Sequence, residues 1–298
     1  MTSMMPGLPA TIAALWRYPV KSMSGERLQQ ADVTVAGVRG DRAYALIETA
    51  TGKVVSAKST RLYPDILRCR AEFLEEPDTR NLWPPVRIVL PTGLSVRSDA
   101  ADVDQILSEH FGRAVTLARA APDDYTVDQY YPDIEGADPG DRRDVVASHK
   151  LGEPLFAALG KPSPVPPGSL VNAFPVSLMT TSTLSTLGAR ASGSQFDERR
   201  FRMNVIINTE APDFPENAWI GNFLALGETL CLDIALLVPR CVVTTLGQEG
   251  LPQDSDVLRA LVQNNRLEIP GLGVHPCAGV YAVAKHEGRV HVGDSVRL

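Results

Sequence analysis

Apolar and polar residues alternate in short runs through the first third of the chain, and turn residues break the runs. Thr11–Tyr18, Leu28–Val35, Tyr44–Glu48, Arg70–Leu74 and Val86–Leu90 each carry the pattern of a strand. Pro91-Thr92-Gly93 predicts a hairpin turn between Val86–Leu90 and Leu94–Arg97. The period then changes. Val103, Ile106, Leu107 and Phe111 fall at helical spacing, with Asp102 as candidate N-cap and Gly112 as the stop. Residues 121–145, rich in Asp, Pro, Gly and Tyr, read as an interdomain connection or long surface loop, and 160–169 as a second irregular segment. Beyond them Val205–Asn208, Leu230–Leu237, Val242–Thr245 and Gly279–Ala284 predict strands; Leu230, Leu232, Ile234 and Leu236 give one of them a buried face. Glu287-Gly288 predicts a terminal hairpin joining Tyr281–Ala284 to Arg289–Val292. Asp254–Asn264 predicts a helix, with Val257, Leu258, Leu261 and Val262 on one face behind a capping Asp254. Together these elements predict a mainly β fold with a few helices (α+β). The chain would form two β-rich units with closed or barrel-like sheets, residues 1–120 and 121–298.

Composition narrows the function classes. With 44% hydrophobic and 21% charged residues in 298, the chain has the make-up of a soluble globular protein, not a disordered one. Lys and Arg number 29 against 35 Asp and Glu, a net charge of −6, which excludes a generally basic coat for nucleic acid but leaves room for a local basic pocket. No apolar run approaches the roughly 18 residues of a membrane span. The opening Met1–Pro9 lacks the basic and apolar regions of a signal peptide. Cys69, Cys231, Cys241 and Cys277 are scattered with no C-x-x-C, so neither a disulfide scaffold nor a zinc or iron–sulfur framework is expected, and a reducing cytoplasm fits best.

Phosphate-loop, zinc-protease and nucleophile-elbow motifs are all absent, and the five histidines have no metal-ligand spacing. What remains is one thiol and several separated cations. Cys241 follows Pro239-Arg240 and precedes Val242-Val243-Thr244-Thr245. Beside an arginine at a strand mouth, such a thiol can serve as a nucleophile or soft metal ligand; equally it can be a small buried apolar residue. Lys21 and Ser22 stand just past the first strand, Arg42 leads into the strand at Tyr44, and Arg199-Arg200-Phe201-Arg202-Met203-Asn204 leads into the strand at Val205. Arginines at strand entrances can clamp an anion, with Ser and Asn completing the hydrogen bonds, although each alone can be a solvated charge. Thr181 and Ser182, within Thr180–Thr183, could offer hydroxyls and helix-start amides to a phosphate or simply cap a helix.

In order, Tyr18-Pro-Val-Lys-Ser22, Gly40-Asp-Arg-Ala-Tyr44, Arg199–Asn204, Arg240-Cys-Val-Val-Thr-Thr245 and Val292-Gly-Asp-Ser-Val296 resemble the MOSC family, named for the C-terminal domain of molybdenum cofactor sulfurases, preceded by its N-terminal β-barrel domain. The resemblance runs from about Ile12 to Leu298 and includes amidoxime-reducing proteins and their bacterial relatives. It implies a β-barrel domain followed by a barrel-like MOSC domain, with molybdenum cofactor (Mo-molybdopterin) in the cleft between them. Cys241 would be the catalytic thiolate ligand to molybdenum, and Lys21, Ser22, Arg42, Thr181, Ser182, Arg202, Asn204 and Arg240 would serve the cofactor site. The implied activity is reduction of small N-hydroxylated substrates (amidoximes, hydroxylamines, N-oxides). Since no cysteine cluster is present, electrons would come from a separate ferredoxin-, flavoprotein- or cytochrome-type donor. No nucleic acid or membrane-span partner is implied. The chain departs from the family pattern at Met203, where many members carry proline, and at Leu246-Gly247-Gln248-Glu249, a segment expected near the metal. Alternatives are a cofactor or sulfur carrier using Cys241, a non-catalytic binding module, and a thiol hydrolase pairing Cys241 with His275.

Overall fold

Strand Ala10–Arg17 shows how alternation becomes architecture in this computed structural model, which describes residues 10–298; the reading of Met1–Pro9 lies outside the described residues. Ile12 and Leu15 face one core, Ala14 faces another, and all three are fully buried. Strand Ala10–Arg17 pairs with Val205–Thr209 on one side and Ser295–Arg297 on the other. The ring continues through Phe223–Leu226, Leu230–Pro239, Gly273–His286 and Val176–Thr180, which pairs back to Val205–Thr209. Seven strands thus close into a barrel. It is lined by Ile12, Leu178, Val205, Ile207, Leu224, Leu232 and Ile234. Each such side chain contributes about 1.5–3 kcal/mol on burial.

Strands Val176–Thr180 and Val205–Thr209 are parallel, so the chain needs a crossover, and helix Thr181–Arg190 begins it. This helix and Asp256–Asn264 cover the outer face at Ala14, Met179, Ile206 and Val238. Gly279 is required where Gly273–His286 passes its neighbour: at φ +79°, a Cβ there would stand 2.5 Å from the Leu178 carbonyl oxygen.

A separate core is built by Ala45–Glu48 with Val115–Ala118, by the three-stranded sheet Arg70–Phe73, Val86–Val89 and Ser95–Arg97, and by helix Val103–Phe111. The protein is therefore mainly β with four α-helices among the described residues. Val242 and Leu246, just after Cys241, pack into this N-terminal core rather than the barrel's. Cys241 consequently sits at the seam of the two cores. No described helix is long and apolar enough to cross a membrane.

Four expectations change. Val242–Thr245 is a 3-10 turn, not a strand, because the Thr244 and Thr245 hydroxyls donate back to the Cys241 and Val242 carbonyls at 3.1 and 2.8 Å. Strand Gly288–His291 does not fold back on Gly273–His286, whose edges are already occupied; it pairs with Gln30–Thr34. Asp102 makes no side-chain cap; Asp104 instead accepts a hydrogen bond from the Leu117 amide. Residues 121–145 are not all loop: Thr126–Tyr131 pairs with Val145–Lys150 as a two-stranded ribbon.

Candidate functional site

Two of the motifs interlock at the mouth of the barrel. The Tyr18 amide donates to Asp41 Oδ1 at 2.8 Å, the Arg42 amide to the Tyr18 carbonyl at 2.8 Å, and the Lys21 amide to the Tyr44 carbonyl at 2.7 Å. This zipper turns Lys21, Ser22 and Arg42 toward one cleft. Ser22 and Arg42 have left-handed backbones, φ 71° and 49°, and Ser22 Oγ accepts from the Ala57 amide.

Arg202 is also left-handed, at φ 56°. Side chains from three places clamp its loop. Arg240 Nη1 donates to the Phe201 carbonyl at 2.8 Å, Arg42 Nη2 to that of Arg202 at 3.2 Å, and the Tyr18 hydroxyl to that of Met203 at 3.4 Å. Asn204 closes the loop, with Oδ1 accepting from the Ser177 amide and hydroxyl at 3.1 and 3.0 Å. Met203 is buried, and its Sδ accepts from Arg240 at 2.8 Å. The remaining Arg240 donors go to the Ala278 carbonyl, at 2.9 Å from Nε and 2.6 Å from Nη2. Arg240 therefore spends its guanidinium on the protein and positions the Arg202 loop against the end of strand Leu230–Pro239, two residues before Cys241.

The cleft measures about 400 Å³. Lys21, Arg42, Lys58, Arg142, Lys150, Arg200, Arg202 and Arg240 line it, and Asp138 is the one carboxylate among the lining residues. In a chain of net charge −6, this is a concentrated positive pocket. Cys241, half-buried and free, lines the same space. Of the non-glycine residues with positive φ among those described, Asp124, Asp141, Asp144 and Asp213 tolerate that region readily; the other three are Ser22, Arg42 and Arg202, all in this cleft. Such backbone conformations cost of order 1–3 kcal/mol each and cluster at ligand clamps.

Burial of cations beside cations depresses their pKa values. Lys21 is held well below its ordinary 10.5, first by desolvation and then by Arg42, Lys58 and Arg202; its Nζ donates to the Leu170 carbonyl at 2.6 Å and to Asn172 Oδ1. Desolvation brings Arg202 down to about 10, with its Nη1 donating to the Met23 carbonyl at 2.8 Å. Folding thus releases a proton from Lys21, so its contribution makes stability rise with pH from the folded value toward 10.5. In urea titrations from pH 7 to pH 10, the wild-type midpoint should gain on that of Lys21→Met; parallel midpoints would remove this role for Lys21.

Thr181 and Ser182 are the site residues that the structure does not bring to the cleft. Their hydroxyls meet Asn208 Oδ1 at 3.2 Å and the Thr209 carbonyl at 2.8 Å, beyond the far end of the strand that starts near Ser177. Their neighbours Thr180 and Thr183 donate to the buried Glu216 carboxyl at 2.7 and 2.6 Å, and Thr180 Oγ1 caps the helix at the Thr183 amide. The hydroxyl cluster is thus a helix cap around a carboxyl. Leu246–Glu249 is likewise absent from the cleft lining, since Arg200 ties this segment back through the Thr244, Leu246 and Pro252 carbonyls. His275 lines the cleft with Cys241, but its Nε2 meets the Leu272 carbonyl at 3.2 Å rather than a carboxylate.

Sequence reasoning missed the opposite wall. Tyr131, Asp138, Arg142 and His149 come from the ribbon and its connecting loop, and Lys58 from the segment beside them. The irregular composition of 121–145 conceals the pairing that brings them together.

The matched families agree with this layout. The MOSC N-terminal beta barrel domain matches residues 9–85 and the MOSC domain matches residues 166–297. The chain belongs to the MOSC family. Mitochondrial amidoxime-reducing component 1 of Homo sapiens is 24% identical over 303 residues, spanning 97% of this chain and 82% of that protein. The solved YUAD protein from Bacillus subtilis covers 98% of this chain and 97% of its own at 10% identity, with a TM-score of 0.44. Both MOSC matches reach the cleft, the first through Lys21, Ser22 and Arg42 and the second through Arg202, Arg240 and Cys241. The ribbon lies between them.

Proposed function

We propose that this MOSC protein holds molybdenum cofactor in the seam cleft and reduces N-hydroxylated compounds with electrons from a separate ferredoxin-, flavoprotein- or cytochrome-type donor. The carrying observation is the pairing, in one cleft, of a free thiol with buried Lys21 and part-buried Arg202, neither of which has a carboxylate partner among the described residues. Uncompensated buried charge is costly, and a bound anion relieves it. A phosphorylated pterin with a thiophilic metal matches both ends of the donor set, and about 400 Å³ falls in the range of small-molecule sites.

Lys21, Ser22, Arg42 and Arg202 would hold the phosphate, and Cys241 would be the thiolate ligand. Asn204 and Arg240 keep the Arg202 loop in its left-handed form. When bound, the cofactor supplies two-electron, oxygen-accepting chemistry. Two electrons and two protons convert the N–OH group to N–H and release water. The similarity to a protein named for amidoxime reduction supports the substrate class. The free cysteines are compatible with a reducing cytoplasm.

Half-exposure of Cys241 also favours a second reading, in which the thiol carries sulfur or passes the cofactor on. Cofactor-loaded protein supplied with a chemical reductant should convert benzamidoxime to benzamidine over many turnovers. No turnover by fully loaded protein, with a persulfide adduct of about 32 Da on Cys241, would replace the reductase by the carrier.

A further inference from the structure

We propose that Lys58 and Arg142 form a carboxylate-binding subsite, so that the preferred substrates are N-hydroxylated compounds that also bear a carboxylate. This rests on the reductase reading and adds the substrate class to it. The family matches end at residue 85 and resume at 166, and the ribbon Thr126–Tyr131 with Val145–Lys150 falls between them. Tyr131, Asp138, Arg142 and His149 on the outer wall of the cleft therefore come from a part of the chain separate from the two matched domains, and Lys58 joins them from within the first.

That wall is preorganised. Asp138 takes Arg142 Nε and Nη2 at 2.9 and 2.8 Å and anchors the loop through the Gly140 and Arg142 amides. The Arg142 guanidinium lies 4.1 Å over the Tyr131 ring, and the Tyr131 hydroxyl is hydrogen-bonded to His149 Nε2 at 2.8 Å. Arg142 Nη1 has no hydrogen-bond partner among the described residues, so one edge of a fixed guanidinium is left to a ligand. Lys58 Nζ has neither a hydrogen bond nor an ion pair among the described residues. The Lys58 carbonyl accepts from the Tyr130 amide at 2.8 Å, and the Ala57 amide beside it donates to Ser22 Oγ at 2.9 Å, which places Lys58 between the inner cation cluster and the ribbon.

Charge balance selects the ligand. Lys21, Arg202 and the Asp41-paired Arg42 would answer the cofactor phosphate, while Asp138 pairs with Arg142 and Asp124 with Lys150. One positive charge, that of Lys58, is left over on the ribbon side. A monoanion matches it, and a planar carboxylate can accept from both the ammonium and the free guanidinium edge. Phe174 stacked on Tyr281, ring centroids 5.4 Å apart, gives the same cleft an apolar surface for the body of the substrate.

The test compares benzamidoxime with 4-carboxybenzamidoxime on loaded enzyme, and benzamide with 4-carboxybenzamide by calorimetry on the same protein. The carboxylated member should be favoured about tenfold or more in kcat/KM and in Kd. Lys58→Gln and Arg142→Gln should each bring the ratio toward one while molybdenum and pterin content stay at the wild-type level. Equal handling of the two members by wild type would overturn the subsite. So would a preference that survives both variants, or a Lys58→Gln protein that loses pterin instead, which would assign Lys58 to the cofactor. If loaded wild type reduces neither amidoxime, the reductase reading fails by itself, and the calorimetric ratio still decides the carboxylate subsite.

Discussion

Cys241→Ala should lose molybdenum and activity together while the protein stays folded. Changes to groups that merely support metal ligands typically cost 10–100-fold in affinity or activity, so removing the ligand should cost at least about 100-fold. Stability should hardly move. Cys241 is half-buried and its thiol makes no hydrogen bond among the described residues; the turn after it is fixed by its backbone carbonyl, which accepts from the Thr244 amide and hydroxyl. Substitutions away from a packed core usually stay within about 0.5 kcal/mol. Metal analysis and a melting curve on the same sample check both halves. A variant that keeps its molybdenum and its turnover would remove Cys241 from the metal.

Arg202→Met should bind the cofactor poorly and yet be the more stable apoprotein. Arg202 is driven down to about 10 by burial, with Lys21 and Arg42 close by, and its recorded side-chain bond is to the Met23 carbonyl. Removing a part-buried charge with no carboxylate partner relieves its desolvation cost; where apolar side chains replace buried ion pairs outright, the effect is neutral or stabilising by about 1–4 kcal/mol. A charged hydrogen bond to the phosphate contributes about 1.5–3 kcal/mol, so its loss should weaken pterin retention about 10- to 150-fold. Thermal melts of unloaded protein and pterin content after loading give the two numbers. Lower stability with unchanged pterin content would make Arg202 a structural residue only.

The barrel was legible because its signal is local: Ile12 and Leu15, or Leu230, Leu232 and Ile234, state their buried face within a few residues. Lys21, Arg42, Arg202 and Cys241 stand out in the sequence as separate cations and a thiol, joined only by the family motifs, and their meeting in one cleft depends on strand ends far apart in the chain. Thr181 and Ser182 misled for a physical reason. A Thr-Thr-Ser-Thr run looks alike whether it caps a helix, binds phosphate or surrounds a carboxyl, and the deciding Glu216 lies more than thirty positions away. Tyr131 and His149 were hidden because only the ribbon's register, Tyr131 with Val145 and Val127 with His149, brings the two strands together. The left-handed backbones of Ser22, Arg42 and Arg202 have no sequence signature at all, since none is a glycine or asparagine.

Molybdenum cofactor in the seam cleft should be detectable directly, as the molybdenum and pterin content of wild-type protein purified from a host that makes the cofactor. About one of each per chain is expected, released together on denaturation. Well-folded protein from such a host containing neither metal nor pterin would contradict a cofactor site in the cleft.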